Sequence, residues 1–170
     1  MRKLDSHTEN SFWVYSLSHY ARSGVAERCL QYQDEYDANV NMLLLCCWLG
    51  SCGIEITNKD IAAAWEKIEQ WEHCAVQPLR RVRRFMTASV LMGSSASIVS
   101  TLKELEITAE KMAQNILYYW AKEQSFIIND AINAEWQMIN INNYLATLDA
   151  PAILIGHPLL FHVGLSQDSD

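Results

Sequence analysis

Four arginines within five positions, Arg80, Arg81, Arg83 and Arg84, hold nearly a third of the 13 lysines and arginines in the 170-residue chain. A guanidinium is a planar fork of donors that matches phosphate and carboxylate oxygens, so this run suits a phosphorylated ligand, RNA or an acidic protein surface. Spaced four apart, Arg80 and Arg84 share one helix face, expected to turn from the core, while Arg81 and Arg83 flank it on opposite sides. Trp71, at the edge of the preceding apolar stripe, adds an aromatic anchor, and protein contact sites favour Trp with Arg. The competing reading is a solvated face, with one flanking arginine neutralising Glu72 and the others paired with Glu66 and Glu69.

A second constellation, Gln31, Gln33, Asp34, Asn39 and Asn41, gathers donors and acceptors around the junction of the second and third predicted helices. With Arg80 or Arg84 on a phosphate, these residues can hold a small ligand or substrate, provided that the side chains meet in an enclosed cleft. Metal chemistry finds less support. Asp34, Glu35 and Asp37 diverge by about 100° or more on a helix, so they do not converge on magnesium. Asn129-Asp130-Ala-Ile-Asn133 resembles part of an isoprenoid-synthase metal motif, yet Gln137 stands where its final Glu belongs. Cys46-Cys47, Cys52 and His73-Cys74 contain no C-x-x-C pair for zinc. No serine or cysteine stands in a nucleophile elbow, and His7, His19, His73, His157 and His162 show no triad spacing. No catalytic residue, metal ligand or cofactor site is predicted.

The elements that must position these groups are helical. Met42 to Leu49 is apolar at every position, and a helix without a polar face must be enclosed by others. Asn41 falls in line with Leu45 and Trp48, so one amide enters the interior and needs partners there. Asp37 is predicted to cap this central helix, and Gly50 and Gly53 bracket its exit. Ahead of it, a helix begins at Asn10 or Ser11 with Trp13, Leu17 and Tyr20 on one side and ends at Ser23-Gly24; the next turns Val25, Cys29, Tyr32 and Tyr36 inward.

Thr57-Asn-Lys-Asp60 reads as a capping box before Ile61, Ala64, Trp65, Ile68 and Glu72, the last an acid on the apolar side that must find a cation or protonate. Pro78 suits the first turn of the arginine helix, whose inner side is Leu79, Val82, Phe85, Met86 and Val90. After a flexible Gly93-Ser-Ser-Ala-Ser97 linker, Ile98, Leu102, Leu105, Ala109, Met112, Ile116 and Tyr119 repeat at 4-3 spacing along one helix of about 28 residues. That seam predicts an antiparallel hairpin within the bundle or a homodimer through residues 98–119. A last helix opens at Asn129-Asp130, turns Ala134, Met138, Ile141, Leu145 and Leu148 inward, and ends at Pro151. Its asparagines weaken its propensity, so packing must hold it. Beyond it, Ala152–Ile155 and Leu159–Val163 are expected to cover the bundle end irregularly.

Half of the residues are hydrophobic and 19% are charged, which predicts a packed core in one domain. The formal charge of −7 argues against a general nucleic-acid coat and leaves RNA only a local basic site. No apolar run approaches the roughly 20 residues needed for a membrane span. Five cysteines, with no apolar leader after Met1-Arg-Lys, fit free thiols in a reducing cytoplasm.

Several runs resemble a family of small bacterial proteins classed as a domain of unknown function: Phe12-Trp13-x-Tyr15-Ser16, Gly24-Val25, Cys29-Leu30 with Gln33-Asp34, Val40-Asn41 leading into Leu43-Leu44 and Trp48-Leu49-Gly50, and Pro78-Leu79-Arg80-x-x-Arg83-Arg84. The resemblance implies a cytoplasmic bacterial helical protein and brings no activity, cofactor or catalytic residue. Members commonly place Asp before the Val-Asn pair; Asn39 stands there in this chain, which weakens a charged-ligand role.

The expectation is an all-α, single-domain helical bundle of about six to seven helices around a buried central helix. It spans residues 10–165, with a flexible start over 1–9 and a disordered tail over 166–170. The leading function is a non-enzymatic interaction or adaptor module that presents Arg80, Arg81, Arg84 and Trp71 to a protein partner. The alternatives are a small-molecule binder or enzyme at the helix 2/helix 3 junction and an RNA- or ribosome-associated factor.

Overall fold

The computed structural model describes residues 10–88, 95–129 and 134–160. Among them are seven α-helices: α1 (Ser11–Tyr20), α2 (Val25–Tyr36), α3 (Val40–Ser51), α4 (Asn58–Trp71), α5 (Gln77–Ala88), α6 (Ser95–Glu123) and α7 (Ala134–Ala146). A π-helical turn, Glu72–Val76, joins α4 to α5 without a break. The fold is an all-α bundle, and its one strand-like feature among the described residues is an isolated bridge between Ile54 and Ile128. The expected flexible start, the disordered tail, Gly93-Ser94 of the expected linker, Val90, Val163 and residues 130–133 lie outside the described residues, while Asn129, expected to open the last helix, is not helical and donates its amide to the Gly53 carbonyl at 2.9 Å. Ser95–Ser97 of that linker form the first turn of α6.

The absence of any polar face on α3 has its predicted consequence, for every residue from Asn41 to Gly50 is buried. Its cap is Asn39, whose side chain accepts from the Met42 amide at 3.1 Å, and not Asp37. Asp37 instead ends α2 in the left-handed region at φ 56°. The start of α3 is fixed from outside, because the Asn39 amide donates to the Tyr144 hydroxyl at 2.8 Å. Thr57 and Asp60 close the predicted capping box of α4, and Ile61, Ala64 and Ile68 lead its buried face down to Glu72.

Two inner faces differ from their sequence patterns. α5 buries none of its residues; Val82 is 48% and Phe85 69% exposed. Among the described residues this helix packs mainly on α6 and the π turn, and Val82 and Phe85 of the face that its pattern marks as apolar stay exposed. On α6 the 98–119 seam is not the inward side: Ala109 is buried, but Ile98, Leu105, Met112 and Tyr119 are exposed. The inward side carries Glu106, Ala109, Ala113, Leu117 and Ala121. Alanines bring neighbouring helices close while adding little hydropathy, so the larger apolar side chains one position away mark the wrong stripe.

The last segment closes the bundle through a buried histidine. His19 Nε2 donates to the Leu159 carbonyl at 3.0 Å, which leaves Nδ1 to accept from Tyr15 and Arg22. Burial first, and then the charge of Arg22, lower the pKa of His19 from 6.5 to about 4 despite the Leu159 carbonyl. The unfolded chain therefore takes up a proton on this ring at a higher pH than the fold does. Stability should be full above pH 6.5 and fall by about 1.4 kcal/mol per pH unit towards pH 4. Urea midpoints across that window check the slope; it should flatten in His19→Gln, and an equal slope in that variant would assign it elsewhere.

Candidate functional site

The π turn inserts an extra residue into the helical repeat between α4 and α5, and such turns recur at functional sites. Here it carries Glu72 inward, where the residue is 1% exposed. Asn41, the inward amide of α3, donates from Nδ2 to Glu72 Oε1 at 3.1 Å. Gln114 of α6 in turn donates from Nε2 to Asn41 Oδ1 at 2.9 Å. The chain Gln114, Asn41, Glu72 thus points all its donors towards one carboxylate. Its two ends, Gln114 Oε1 and Glu72 Oε2, have no hydrogen-bond partner among the described residues, and the same holds for Ser16 Oγ.

One turn beyond, Arg80 crosses from α5 to two other helices with its side chain only 18% exposed. It donates to Glu106 Oε1 at 3.1 Å, to Glu110 Oε1 at 2.8 Å and to Gln33 Oε1 at 2.7 Å. Arg83 also donates to both oxygens of Glu106. Burial alone would raise the Glu106 carboxyl; the hydrogen bonds and charges of Arg83 and Arg80 outweigh it and hold the group below the ordinary carboxylate range. Arg84 meets Asp34 at 3.3 Å in solvent.

These side chains border a cavity of about 480 Å³ between α1, α2, α3, α5 and α6. Its apolar lining comprises Trp13, Leu17, Tyr20, Leu30 and Leu44. The polar lining holds Gln33, Asn41, Gln114, Glu106 and Glu110 with four basic groups, Arg80, Arg83, Arg84 and Lys103. A second cavity of about 410 Å³ shares Gln33 and Arg80 with the first and is lined further by Glu72, Asn39, Trp65 and Tyr144.

A family model described as a protein of unknown function, DUF2390, matches residues 11–117. The chain belongs to the DUF2390 family. No curated protein and no solved structure matches the chain. The DUF2390 segment takes in every residue that lines the first cavity, from Trp13 to Gln114, whereas Tyr144 in the second lies beyond it. Among the described residues of this DUF2390 chain, no helix is long and apolar enough to cross a membrane.

Of the residues singled out in the sequence, the fold brings Gln33, Asn41, Arg80 and Arg84 to the first cavity and Asn39 to the second. Gln31 stays outside, between Arg28 and Glu35, and Asp34 is spent on Arg84 at the surface. Arg81 is exposed on α5, apart from both cavities. Trp71 is half-buried at the end of α4, where its indole donates to the Ala109 carbonyl at 2.8 Å and ties that end to α6. Arg80 does not project freely from the core, and Glu72 is met by an amide and not by a flanking arginine.

Sequence reasoning missed Glu106, Glu110 and Gln114. Their signal was present as polar residues at i, i+4 and i+8 on one long helix, a row that can face the four-residue repeat of Arg80 and Arg84. Among the described residues no three His, Cys, Asp or Glu side chains converge as metal ligands do. Burial pushes the Cys29 thiol up to about 12 and raises Cys46 and Cys47 as well, which makes them core groups and not nucleophiles.

Proposed function

We propose that this DUF2390 protein binds a small amphipathic anion in the first cavity, with its charged head at Arg80 and its apolar body against Trp13, Leu17 and Tyr20. One observation carries this reading: a cavity of about 480 Å³ whose lining combines apolar side chains with four basic side chains and two carboxylates. That combination of size, apolar lining and a few placed polar groups is typical of ligand sites. The excess of cations favours a phosphate or carboxylate head group, and a fork such as Arg80 matches either. The reading rests on the same helices as the expected polar cleft, with Gln33 and Asn41 kept and Gln31 and Asp34 removed.

The test is titration with phenyl phosphate and 3-phenylpropionate beside neutral phenethyl alcohol, followed at the Trp13 indole by NMR. The anions should bind at least about tenfold more tightly than the alcohol. Arg80→Lys, which keeps the charge but loses the fork, should weaken them by a similar factor, and Lys103→Met at the exposed rim by less. Equal binding of alcohol and anions, or no response to any of them, sinks the proposal.

A second reading, contact with a protein partner, is favoured by the exposed Val82 and Phe85 beside exposed Arg81 on α5, and by exposed Ile98, Leu105, Met112 and Tyr119 at seven-residue intervals on α6. Sedimentation over a concentration series decides whether that partner is a second copy. Residence in a bacterial cytoplasm is supported by five free cysteines, Cys74 among them exposed.

A further inference from the structure

Glu72 is a buried acid whose second oxygen has nothing to hold it. Oε1 accepts from Asn41, while Oε2 is without a partner among the described residues in a side chain 1% exposed. A buried carboxylate in that condition is costly unless a cation answers it. The surroundings do not supply one. Arg80, which also lines this cavity, directs its hydrogen bonds to Glu106, Glu110 and Gln33 and makes none to Glu72 among the described residues, and Asp37 adds a second acid to the lining. His73, on the same turn, is exposed and sets its ring edge-on to Trp65 at 6.1 Å.

We propose that the second cavity, about 410 Å³ between the π turn, α4 and the end of α7, is a separate site for an organic ammonium ion with Glu72 as its counter-ion. The Trp65 indole and the Tyr144 ring line it, and aromatic faces attract a cation by their quadrupoles. Ile61 and Leu148 give an apolar substituent somewhere to lie. Glu72 borders this cavity from a buried position, so its charge acts on an ammonium held there; an alcohol offers a donor without the charge, and an anion is repelled by Asp37 and Glu72. The two cavities share Gln33 and Arg80, but Glu72, Trp65 and Tyr144, on which this site rests, do not line the anion cavity, so it does not depend on that reading.

The test uses the full chain and phenethylammonium as the probe, with phenethyl alcohol as its neutral twin, followed at the Trp65 side-chain indole assigned through Trp65→Phe. The ammonium should shift that indole with an affinity at least about tenfold above that of the alcohol. Glu72→Gln keeps the volume and an acceptor for Asn41, and it should bring the ammonium down to the level of the alcohol. The comparison of the two probes on the unmodified chain needs no variant, so poor folding of Glu72→Gln does not shelter the idea. It is overturned by equal affinity of the two probes, by a preference that survives in Glu72→Gln, or by no change at the Trp65 indole at millimolar probe. Shifts confined to the Trp13 indole overturn it too, since they place the probe in the first cavity.

Discussion

Replacing Gly50 by alanine is expected to lower the free energy of unfolding by about 3–5 kcal/mol, one of the two largest effects predicted for this chain. Helix propensity points the other way, since alanine is better than glycine in a helix interior by about 1 kcal/mol. The sign is decided by what the new methyl group meets. A Cβ on Gly50 would lie 2.5 Å from both the Cα and the amide nitrogen of Gln137, and 2.8 Å from the carbonyl carbon of Trp136. These are backbone atoms of α7, which cannot swing aside as a side chain can. Relief requires α3 and α7 to separate, and α3 has buried residues along nearly its whole length with nothing to fill the gap. Chemical denaturation of the purified variant reads the effect; a midpoint equal to or above that of the parent chain would mean that the two helices do not meet so closely.

The same helix shows which parts of the fold were legible. Met42 to Leu49 has no polar position, so its burial followed from composition and geometry with no knowledge of neighbours. Asn41 and Glu72 were each legible as polar side chains on inward faces. That they answer one another was not, because a pattern along one helix says which way a residue points and not which helix it faces. Glu72 was assigned a nearby arginine on charge alone, yet the amide of Asn41 reaches its Oε1.

For the site, Arg80, Gln33 and Asn41 were recognisable by type, whereas Glu106 and Gln114 were hidden by a search for apolar periodicity. The large side chains at 98, 105, 112 and 119 drew the seam to the exposed side of α6, while the inner face opens with alanines and two polar groups and gains large apolar residues only from Leu117 on. Asp37, the expected cap of α3, and Asn39, the actual one, are both chemically suitable. The choice came from Tyr144, more than 100 residues away in the chain, which holds the Asn39 amide.

Asn140→Ala is the counterpart of that lesson, with an expected loss of about 3–5 kcal/mol. The asparagines of α7 depress its helix propensity, which makes sense only if their side chains are needed elsewhere. Asn140 is fully buried. Its Nδ2 donates to the Ile54 carbonyl at 2.8 Å and the Cys46 carbonyl at 3.3 Å, and its Oδ1 accepts from the Ile56 amide at 2.9 Å. One side chain therefore satisfies the backbone of the irregular segment between α3 and α4, where no helix can do so. Alanine removes all three bonds and leaves the Ile56 N–H and the Ile54 carbonyl with a deficit of about 1–3 kcal/mol each in a space too enclosed for easy hydration. Asn142 and Asn143 make similar clamps, to Ile153 and to the Ile56 carbonyl, from half-buried positions where water can take over. Their alanine variants should lose less. Asn140→Asp separates the roles, since it keeps the acceptor for Ile56 and gives up both donations. Denaturation gives the totals, and hydrogen exchange at the Ile56 amide locates them. Fast exchange at that amide in Asn140→Ala together with protection in Asn140→Asp assigns the acceptor role, while unchanged protection in both would mean that the segment is held by packing and not by this amide.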